Sequence, residues 1–264
     1  MTIIYSVIFF LFGICIGSFL NVLVDRLPEG GSLLSPPSHC PACDRPLARR
    51  DMIPIVSYLI LRGRCRYCGA SIPKRILWVE LGTGILFVLL FLYYGLSWEL
   101  ALVIVYSFIL FALLLIDLER RILPNKIVYP GILLVLLISG IGSIFGFQPS
   151  ILSHLGFKLW IVDSLIGAVT GFSLLFIIAL IFRGGMGWGD VKFAGMIGMM
   201  VGFPLIIVAL FLAIVIGGLL AGVLLITKIK KRKEMIPFGP FLSIATIVTM
   251  LYGQYILYWY IGYF

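Results

Sequence analysis

The chain has 264 residues, of which 62% are hydrophobic and only 12% are charged, and its mean hydropathy is +1.17. Soluble domains carry about a quarter charged residues, so this composition excludes an ordinary soluble protein and predicts a polytopic membrane protein. The net charge of +9 does not predict a nucleic-acid partner, because the Lys and Arg residues lie in the polar segments between apolar runs, as the positive-inside rule describes.

The first apolar run covers residues 2–24 and predicts a membrane-spanning helix. It is longer than the apolar region of a signal peptide, and no basic residue precedes it. Since Arg26 follows the run, we expect the amino terminus to lie outside the cell and residue 25 onward to lie in the cytoplasm.

Further windows of about 20 apolar residues, the length that spans a bilayer, cover residues 76–94, 98–116, 127–147, 160–182 and 237–260. Residues 191–227 are too long for one span, and Gly202, Phe203 and Pro204 divide them into a short helix and a longer one. The predicted fold is therefore all-α, with about eight transmembrane helices and both termini outside. Every Lys and Arg except Lys158 then lies on the cytoplasmic side.

Three pairs of glycines spaced four residues apart lie inside the predicted spans. Such small-residue steps let neighbouring helices approach closely, so we expect them to report packing rather than chemistry. The pairs are Gly13 and Gly17, Gly198 and Gly202, and Gly218 and Gly222.

Residues 25–75 form the only long polar segment and contain four of the five cysteines. These are arranged as two Cys-x-x-Cys pairs separated by 21 residues, Cys40 with Cys43 and Cys65 with Cys68. Cytoplasmic thiols are kept reduced, so the pattern favours a metal over disulfides. Four thiolates are the usual ligands of structural zinc and leave no position for a catalytic water. A segment of about 50 residues is also near the lower limit for folding without such a staple.

Two carboxylates stand at the polar ends of apolar runs. Asp117 follows the run 101–116, and Asp190 follows the glycine-rich stretch from Gly184 to Gly189. An ionisable group at a membrane boundary is costly unless it is paired or solvated, which makes both residues functional candidates. Each has a simpler explanation alone, as a solvated charge at a helix end or a charge favoured by a helix dipole. Together they predict an acid–base pair that shares one proton.

Other chemistry has less support in the sequence. Neither His39 nor His154 has an evident nucleophile or metal partner, and no serine-nucleophile motif is present. Two other functional classes stay open: a transporter whose carboxylates relay protons, and a membrane scaffold with a zinc-knuckle interaction domain. A transporter would place its carboxylates near the middle of the membrane, whereas Asp117 and Asp190 lie at the rim.

With these residues in place, the chain resembles the type IV prepilin peptidase family, the leader peptidases and N-methyltransferases of pilus and type II secretion systems. Asp117 with Leu123-Pro124-Asn125 is similar to the first aspartate motif of the family, and Gly187-Trp188-Gly189-Asp190-Val191-Lys192 is similar to its Gly-x-Gly-Asp motif. The paired cysteines resemble its cytoplasmic insert. Its opening motif resembles Gly17-Ser18-Phe19-Leu20-Asn21-Val22 with Arg26-Leu27-Pro28, and the opening of its last helix resembles Pro237-Phe238-Gly239-Pro240-Phe241.

The resemblance implies a catalytic pair, Asp117 and Asp190, at the cytoplasmic face of the bacterial inner membrane. It implies a prepilin or pseudopilin substrate whose short basic leader is cytoplasmic and whose apolar helix lies in the bilayer. It also implies methylation of the new amino terminus by S-adenosylmethionine, with Asn21 and Glu80 as candidate cofactor-binding residues. A peptidase without methyl transfer stays open, since the sequence contains no nucleotide-binding βαβ pattern.

The expected domains follow from these motifs. Residues 1–24 form the first transmembrane helix, and residues 25–75 form the four-cysteine zinc-knuckle insert, which with that helix makes the expected N-methylation region. Residues 76–264 form a seven-helix membrane aspartyl peptidase domain. The expected partners are the substrate helix and the lipid bilayer, with no nucleic acid.

Overall fold

The computed structural model describes residues 1–33, 35–149, 159–181, 187–227 and 236–262 of the chain. Within these ranges the regular secondary structure is helical, and β-pairing is limited to two isolated bridges in the polar segment. The predicted all-α fold is confirmed. Four residues used in the sequence predictions, His154, Lys158, Gly184 and Gly185, lie outside the described residues.

In chain order the helices are α1 (Thr2–Arg26), a 3-10 turn (Arg49–Met52), α2 (Val56–Ile60), α3 (Lys74–Tyr94), α4 (Trp98–Arg120), α5 (Asn125–Ile144), α6 (Trp160–Ile181), α7 (Trp188–Val201), α8 (Leu205–Ile226) and α9 (Gly239–Ile261). Seven of the described helices are long and apolar enough to cross a membrane, namely α1, α3, α4, α5, α6, α8 and α9.

The short helix predicted before Pro204 is α7, which has 14 residues. It ends at Gly202, whose φ of 70° stops the helix, and α8 begins directly after Pro204. A helix of this length is about 21 Å long, less than the roughly 30 Å of a hydrocarbon core. The prediction of about eight spans therefore corresponds to seven full-length helices and one short one within the described part of the chain.

Contacts between residues divide the chain into two compact units, residues 1–100 and 101–264. Unit 1 contains α1, α2, α3 and the cysteine pairs, and unit 2 contains most of α4 and helices α5 to α9. The boundary between the units falls after Leu100, because α3 packs along α1 and so belongs to unit 1. The boundary expected from the sequence falls earlier, at residue 75. The functional division into domains stays a prediction.

In unit 1, the first glycine pair lies where α1 and α3 pack together. A Cβ added to Gly13 would lie 2.7 Å from the Thr83 carbonyl oxygen, and one added to Gly17 would lie 2.8 Å from the Glu80 Cα atom. Distances this short allow no side chain on α1 at either position. The predicted packing role of this pair is confirmed.

In unit 2, α7 forms the centre, and ten of its 14 residues are buried. Helix α6 crosses α7 where Gly167 meets Gly198 and Gly202. A Cβ on Gly167 would overlap the Gly198 carbonyl oxygen, and a Cβ on Gly198 would overlap the Gly167 carbonyl oxygen. The packing role predicted for Gly198 and Gly202 is confirmed. A helix too short to span the hydrocarbon core is thus surrounded by protein over most of its length.

The third glycine pair does not pack in this way. A Cβ added to Gly218 or Gly222 in α8 would meet no atom of the described chain within 4 Å. The packing role predicted for these two glycines is wrong for the described part of the chain, because this side of α8 is left uncovered there.

Several helix ends meet at one end of unit 2. Leu123, which precedes α5, packs against Gly189 at the start of α7 and against Gly239 at the start of α9, and Gly239 also contacts Asp117 near the end of α4. The end of α5 and the start of α6 meet elsewhere, where Trp160 packs over Gly142. The loops and helix ends around Asp117 and Asp190 are therefore gathered at a single end of the unit.

Substitution of Gly198 by alanine is expected to destabilise the protein, because the added methyl group would overlap the Gly167 carbonyl oxygen. Overpacking of this kind costs about 1–3 kcal/mol. The matched control is Gly222→Ala, whose methyl group would meet no atom of the described residues within 4 Å and whose helix propensity is better by about 1 kcal/mol. Thermal denaturation in detergent compares the two variants, and equal midpoints would contradict the described packing.

Candidate active site and metal site

Asp117 lies in the last turn of α4, and its side chain is only 5% exposed. Its Oδ2 atom accepts a hydrogen bond from the backbone N–H of Gly239, with 3.0 Å between nitrogen and oxygen. Helix α4 ends just beyond it, where Arg121 adopts a φ of 55° and donates its N–H to the Asp117 carbonyl oxygen. The carboxylate is held inside the end of unit 2, so its explanation as a solvated charge at a helix end is wrong.

Gly239 is a site residue to which the sequence reasoning gave no role. It is the first residue of α9, so its N–H is one of the donors that a helix leaves unpaired at its start, where an anionic group is favourable. A Cβ on Gly239 would lie 2.6 Å from Oδ2 of Asp117, and only glycine allows this approach. The available signal was Pro240, because proline in the first turn marks a helix start.

Asp190 is the third residue of α7, whose N-cap is Gly187. Its carboxylate accepts the Gly187 N–H, and its own N–H donates to the Gly187 carbonyl oxygen at 3.1 Å, as in a capping box. Asp190 is therefore a charge at a helix start, as the simpler explanation proposed, but this accounts for only part of its surroundings. The half-exposed side chain also interacts electrostatically with Asp117, so the two carboxylates paired from the sequence lie near each other.

Leu123 sets the spacing between the helix starts that carry these groups. A Cβ on Gly189 would lie 3.1 Å from the Leu123 Cβ, and a Cβ on Gly239 would lie 3.2 Å from the Leu123 Cδ2. Nearby, the Lys192 ammonium donates to the Asn125 amide oxygen at 3.4 Å, which ties the start of α7 to the start of α5. Leu123 and Asn125 thereby link the start of α5 to the starts of α7 and α9.

The four paired cysteines converge in unit 1. Their Sγ atoms all lie within 4.8 Å of one another, and those of Cys40 and Cys68 are 3.8 Å apart. A tetrahedral site with zinc–sulfur bonds of about 2.3 Å has sulfur–sulfur edges of about 3.8 Å. All four thiols are free of disulfides, so the cluster is able to bind one metal ion.

The two cysteine pairs share the same backbone structure. The first cysteine of each pair, Cys40 or Cys65, donates its N–H to the carbonyl oxygen five residues later and accepts the N–H of the residue four positions later. Those residues, Asp44 and Gly69, have φ angles of 53° and 74°, and an isolated antiparallel bridge closes each turn. Two equivalent turns thus direct their thiols toward one point.

The electrostatics of the thiols favour a bound cation. The backbone N–H groups of Tyr67 and Cys68 lower the pKa of Cys65 to about 7. The Ala70 N–H lowers the pKa of Cys68, but burial and the three neighbouring thiols outweigh it and raise that pKa to about 11. Because neighbouring thiolates repel one another, a metal ion among the sulfur atoms would offset that repulsion.

Asn21 and Glu80, the predicted cofactor-binding residues, lie between α1 and α3 and are 5% and 3% exposed. The Asn21 amide donates to the Ile76 carbonyl oxygen at 3.3 Å. Oε2 of Glu80 accepts the Ile55 N–H at 2.7 Å, and the Ser18 hydroxyl also donates to this carboxylate. The two side chains therefore connect α1, α3 and the polar segment.

These contacts do not fit a role in holding a methyl donor. The Asn21 amide oxygen is buried without a hydrogen-bond partner in the described chain, but the Glu80 carboxylate is engaged by protein donors. A cofactor that bound the Glu80 carboxylate would replace its hydrogen bond from the Ile55 N–H. The cofactor role of Asn21 and Glu80 stays a prediction.

Together these features define a polytopic membrane protein with a carboxylate pair at one end of its second unit and, in its first, a four-cysteine cluster able to bind a metal ion. Comparisons with known proteins agree with this class. Residues 11–94 match the family model described as "Bacterial Peptidase A24 N-terminal domain". Residues 104–222 match the model described as "Type IV leader peptidase family".

Curated relatives are similar along almost the whole chain. The "Prepilin leader peptidase/N-methyltransferase" of Stutzerimonas stutzeri is 32% identical over 92% of this chain and 89% of the relative. The protein of the same name from Bacillus subtilis (strain 168) is 32% identical over 96% of this chain and 97% of the relative. That from Pseudomonas aeruginosa is 31% identical over 93% of this chain and 90% of the relative. No solved structure matches the chain significantly. The chain belongs to the type IV leader peptidase family, which confirms the resemblance read from its motifs.

Elemental analysis of the purified protein is expected to find about one metal ion per chain, because the four thiols fit one tetrahedral site. Cys65→Ser should lose this ion, since the variant removes a ligand of the cluster. Cys15→Ser is the matched control, because Cys15 is an exposed residue of α1 and should leave the metal content unchanged. A full metal content in Cys65→Ser would contradict the ligand assignment.

Proposed function

We propose that the protein is a membrane aspartic endopeptidase that removes the short basic leader from prepilins or pseudopilins and then N-methylates the new amino terminus. One observation carries the peptidase assignment: Asp117 and Asp190 meet at one end of unit 2, each held by a backbone amide at a helix start. The name "Prepilin leader peptidase/N-methyltransferase" shared by the relatives supports the substrate and the second activity.

Asp117 and Asp190 act as one acid–base unit in this proposal. Like charge and partial burial oppose ionisation of both groups, so the pair holds one proton. The ionised carboxylate removes a proton from water as the water oxygen attacks the scissile carbonyl carbon, and the protonated carboxyl group gives its proton to the carbonyl oxygen. Breakdown of the tetrahedral intermediate breaks the C–N bond and transfers a proton to the leaving amine.

The backbone donors suit a pair of this kind. The Gly239 N–H binds one oxygen of Asp117, and the Gly187 N–H binds the Asp190 carboxylate. Such donors orient a carboxylate, and they favour its ionised form less strongly than the full charge of an adjacent Lys or Arg would. The arrangement thereby allows a single shared proton and fixes the direction of each carboxylate.

The site is proposed to lie at the cytoplasmic face of the bacterial inner membrane. Basic residues border the helix ends that carry it, including Arg121 before α5, Lys126 in its first turn and Lys192 in the first turns of α7. The positive-inside rule assigns such ends to the cytoplasm. With α7 counted as a short buried crossing, the chain crosses eight times, both termini lie outside, and a leader emerging from the inner leaflet meets the carboxylates.

Zinc is the proposed ion of the cysteine cluster, and its role is structural because four thiolates saturate a tetrahedral site. S-adenosylmethionine is the proposed methyl donor, and when bound it supplies the methyl group to the new amine. Unit 1, with the first helix and the cysteine segment, is the proposed region for methyl transfer, since the aspartates belong to a different compact unit.

Asp117→Asn and Asp190→Asn are each expected to reduce leader cleavage by at least about 100-fold, because acid–base catalysis contributes about 10²–10⁴-fold and an amide neither accepts nor gives the required proton. The measurement is the rate of leader release from a reconstituted prepilin. Leader release that depends on both aspartates would distinguish a peptidase from a transporter or a scaffold protein.

Glu119→Gln is the matched control, because Glu119 is an exposed carboxylate on the same turn of α4 as Asp117. It should cleave at the rate of the unaltered protein. Gly239→Ala should behave like the aspartate variants, since its methyl group would collide with Oδ2 of Asp117. Near-normal cleavage by either aspartate variant would exclude the carboxylate pair.

Methyl transfer to a substrate that has already been cleaved should survive in Asp117→Asn and Asp190→Asn, since we assign it to unit 1. The assay follows incorporation of a labelled methyl group into mature pilin. Cys65→Ser should lose this activity together with its metal. If correctly folded aspartate variants lose methyl transfer, the two activities do not occupy separate sites.

A further inference from the structure

The segment between the two cysteine pairs exposes an apolar surface. Five large hydrophobic residues on the 3-10 turn, on α2 and between them are between 43% and 70% exposed. These residues, which we name the interface patch, are Met52, Ile53, Val56, Leu59 and Ile60. Contiguous apolar side chains on a small polar segment are unfavourable in water, and such surfaces mark interaction sites.

The orientation of α2 is set by its opposite side. Tyr58 packs over Gly63, where an added Cβ would lie 2.9 Å from the Tyr58 hydroxyl oxygen, and Ser57 and Leu61 are only half-exposed. The helix is therefore attached to the cysteine segment along one side. Its apolar side chains point away from that segment as a consequence of this packing.

A hydrogen bond to α3 places the interface patch near the membrane boundary. The Ile55 N–H, directly before α2, donates to Oε2 of Glu80 at 2.7 Å. Glu80 lies six residues beyond Lys74, the first residue of α3, which is about 9 Å along a helix that rises 1.5 Å per residue. Since Lys74 and Arg75 mark the polar end of a spanning helix, α2 begins at the depth of the interfacial region.

The backbone at Ile55 shows that this contact is specific. Ile55 has φ 61° and ψ −52°, and the Val56 N–H donates to the Pro54 carbonyl oxygen at 2.6 Å, which forms a three-residue turn. A β-branched residue rarely adopts positive φ, and such strain persists only where surrounding contacts maintain it. The Glu80 carboxylate supplies one such contact from inside α3.

Trp78 marks the same depth on the opposite side of α3. It is 68% exposed and lies two residues before Glu80, which is about 200° around a helix with 3.6 residues per turn. Tryptophan is enriched where a helix passes from headgroups to hydrocarbon. Glu80 therefore holds the start of α2 at the same depth along α3 as an interfacial tryptophan.

The charges around the interface patch decide between possible occupants. Arg49 and Arg50 precede it and Arg62 follows it, and all three side chains are exposed. Apolar side chains bordered by arginine are typical of segments that lie in an anionic lipid surface. The proposed prepilin leader is itself basic, so charge complementarity favours lipid over the leader.

We propose that the interface patch inserts into the anionic headgroup region of the bilayer that α1 and α3 cross. The cysteine segment then lies on the membrane surface, held by Glu80 from the protein side and by the interface patch from the lipid side. The depth of Ile55 along α3, the exposed apolar side chains and the arginines carry this proposal, which is independent of the peptidase assignment.

The test introduces the photoreactive residue p-benzoylphenylalanine at Ile60 and, as a matched control, at Tyr67, an exposed residue of the second cysteine pair. Each full-length protein is reconstituted in vesicles that contain phosphatidylglycerol, irradiated, and examined by mass spectrometry for protein–lipid adducts. We expect at least about tenfold more lipid adduct at Ile60 than at Tyr67, because only the former lies in the interface.

Equal lipid yields at the two positions would overturn the proposal. So would a cross-link from Ile60 to another segment of the chain, to a second copy or to a prepilin in place of lipid. A second variant combines Leu59→Asn with Ile60→Asn and should retain the metal, which verifies folding. In the unaltered protein, vesicles should protect the cysteine segment from protease. The variant should lose this protection. Unchanged protection in this metal-loaded variant would also overturn the proposal.

Discussion

The hydrogen bond from the Gly239 amide to the Asp117 carboxylate joins the start of α9 to the end of α4. At a membrane boundary a buried carboxylate needs a donor, and the start of a helix offers N–H groups that have no partner within the helix. The approach requires glycine at position 239, and Leu123 fills the space between this helix start and that of α7. The carboxylate pair therefore depends on how closely helix ends approach one another.

Close packing inside unit 2 makes that convergence possible. The glycines at the crossing of α6 and α7 bring the two backbones into contact, which puts a helix of 14 residues at the centre of the unit. Backbone groups at the ends of a short helix must find partners when lipid offers none. Enclosure by neighbouring helices provides them, and it places Asp190 at the same end of the unit as Asp117.

Unit 1 uses the same pairing of a buried carboxylate with a backbone amide. Glu80 accepts the Ile55 N–H and so attaches the polar segment to a membrane helix. The two cysteine turns then close on each other through their thiols. A segment this small has little apolar core, so a metal bound by the thiols, together with the Glu80 contact, would provide order that a core otherwise provides.

The sequence by itself determined the all-α membrane class, the short helix before Pro204, the cysteines of the cluster, the family, and Asp117 and Asp190 as candidates. These features are local, since they depend on the length of apolar runs, on the spacing of cysteines and on where a charge interrupts an apolar run. Only the tertiary structure decided that Gly239 binds Asp117, that Glu80 binds Ile55, and that no described residue packs on Gly218 or Gly222. A helix that is apolar on all sides has no polar face to show which side packs against protein. These contacts therefore depend on which helices pack together, which the spacing of apolar residues in the sequence does not reveal.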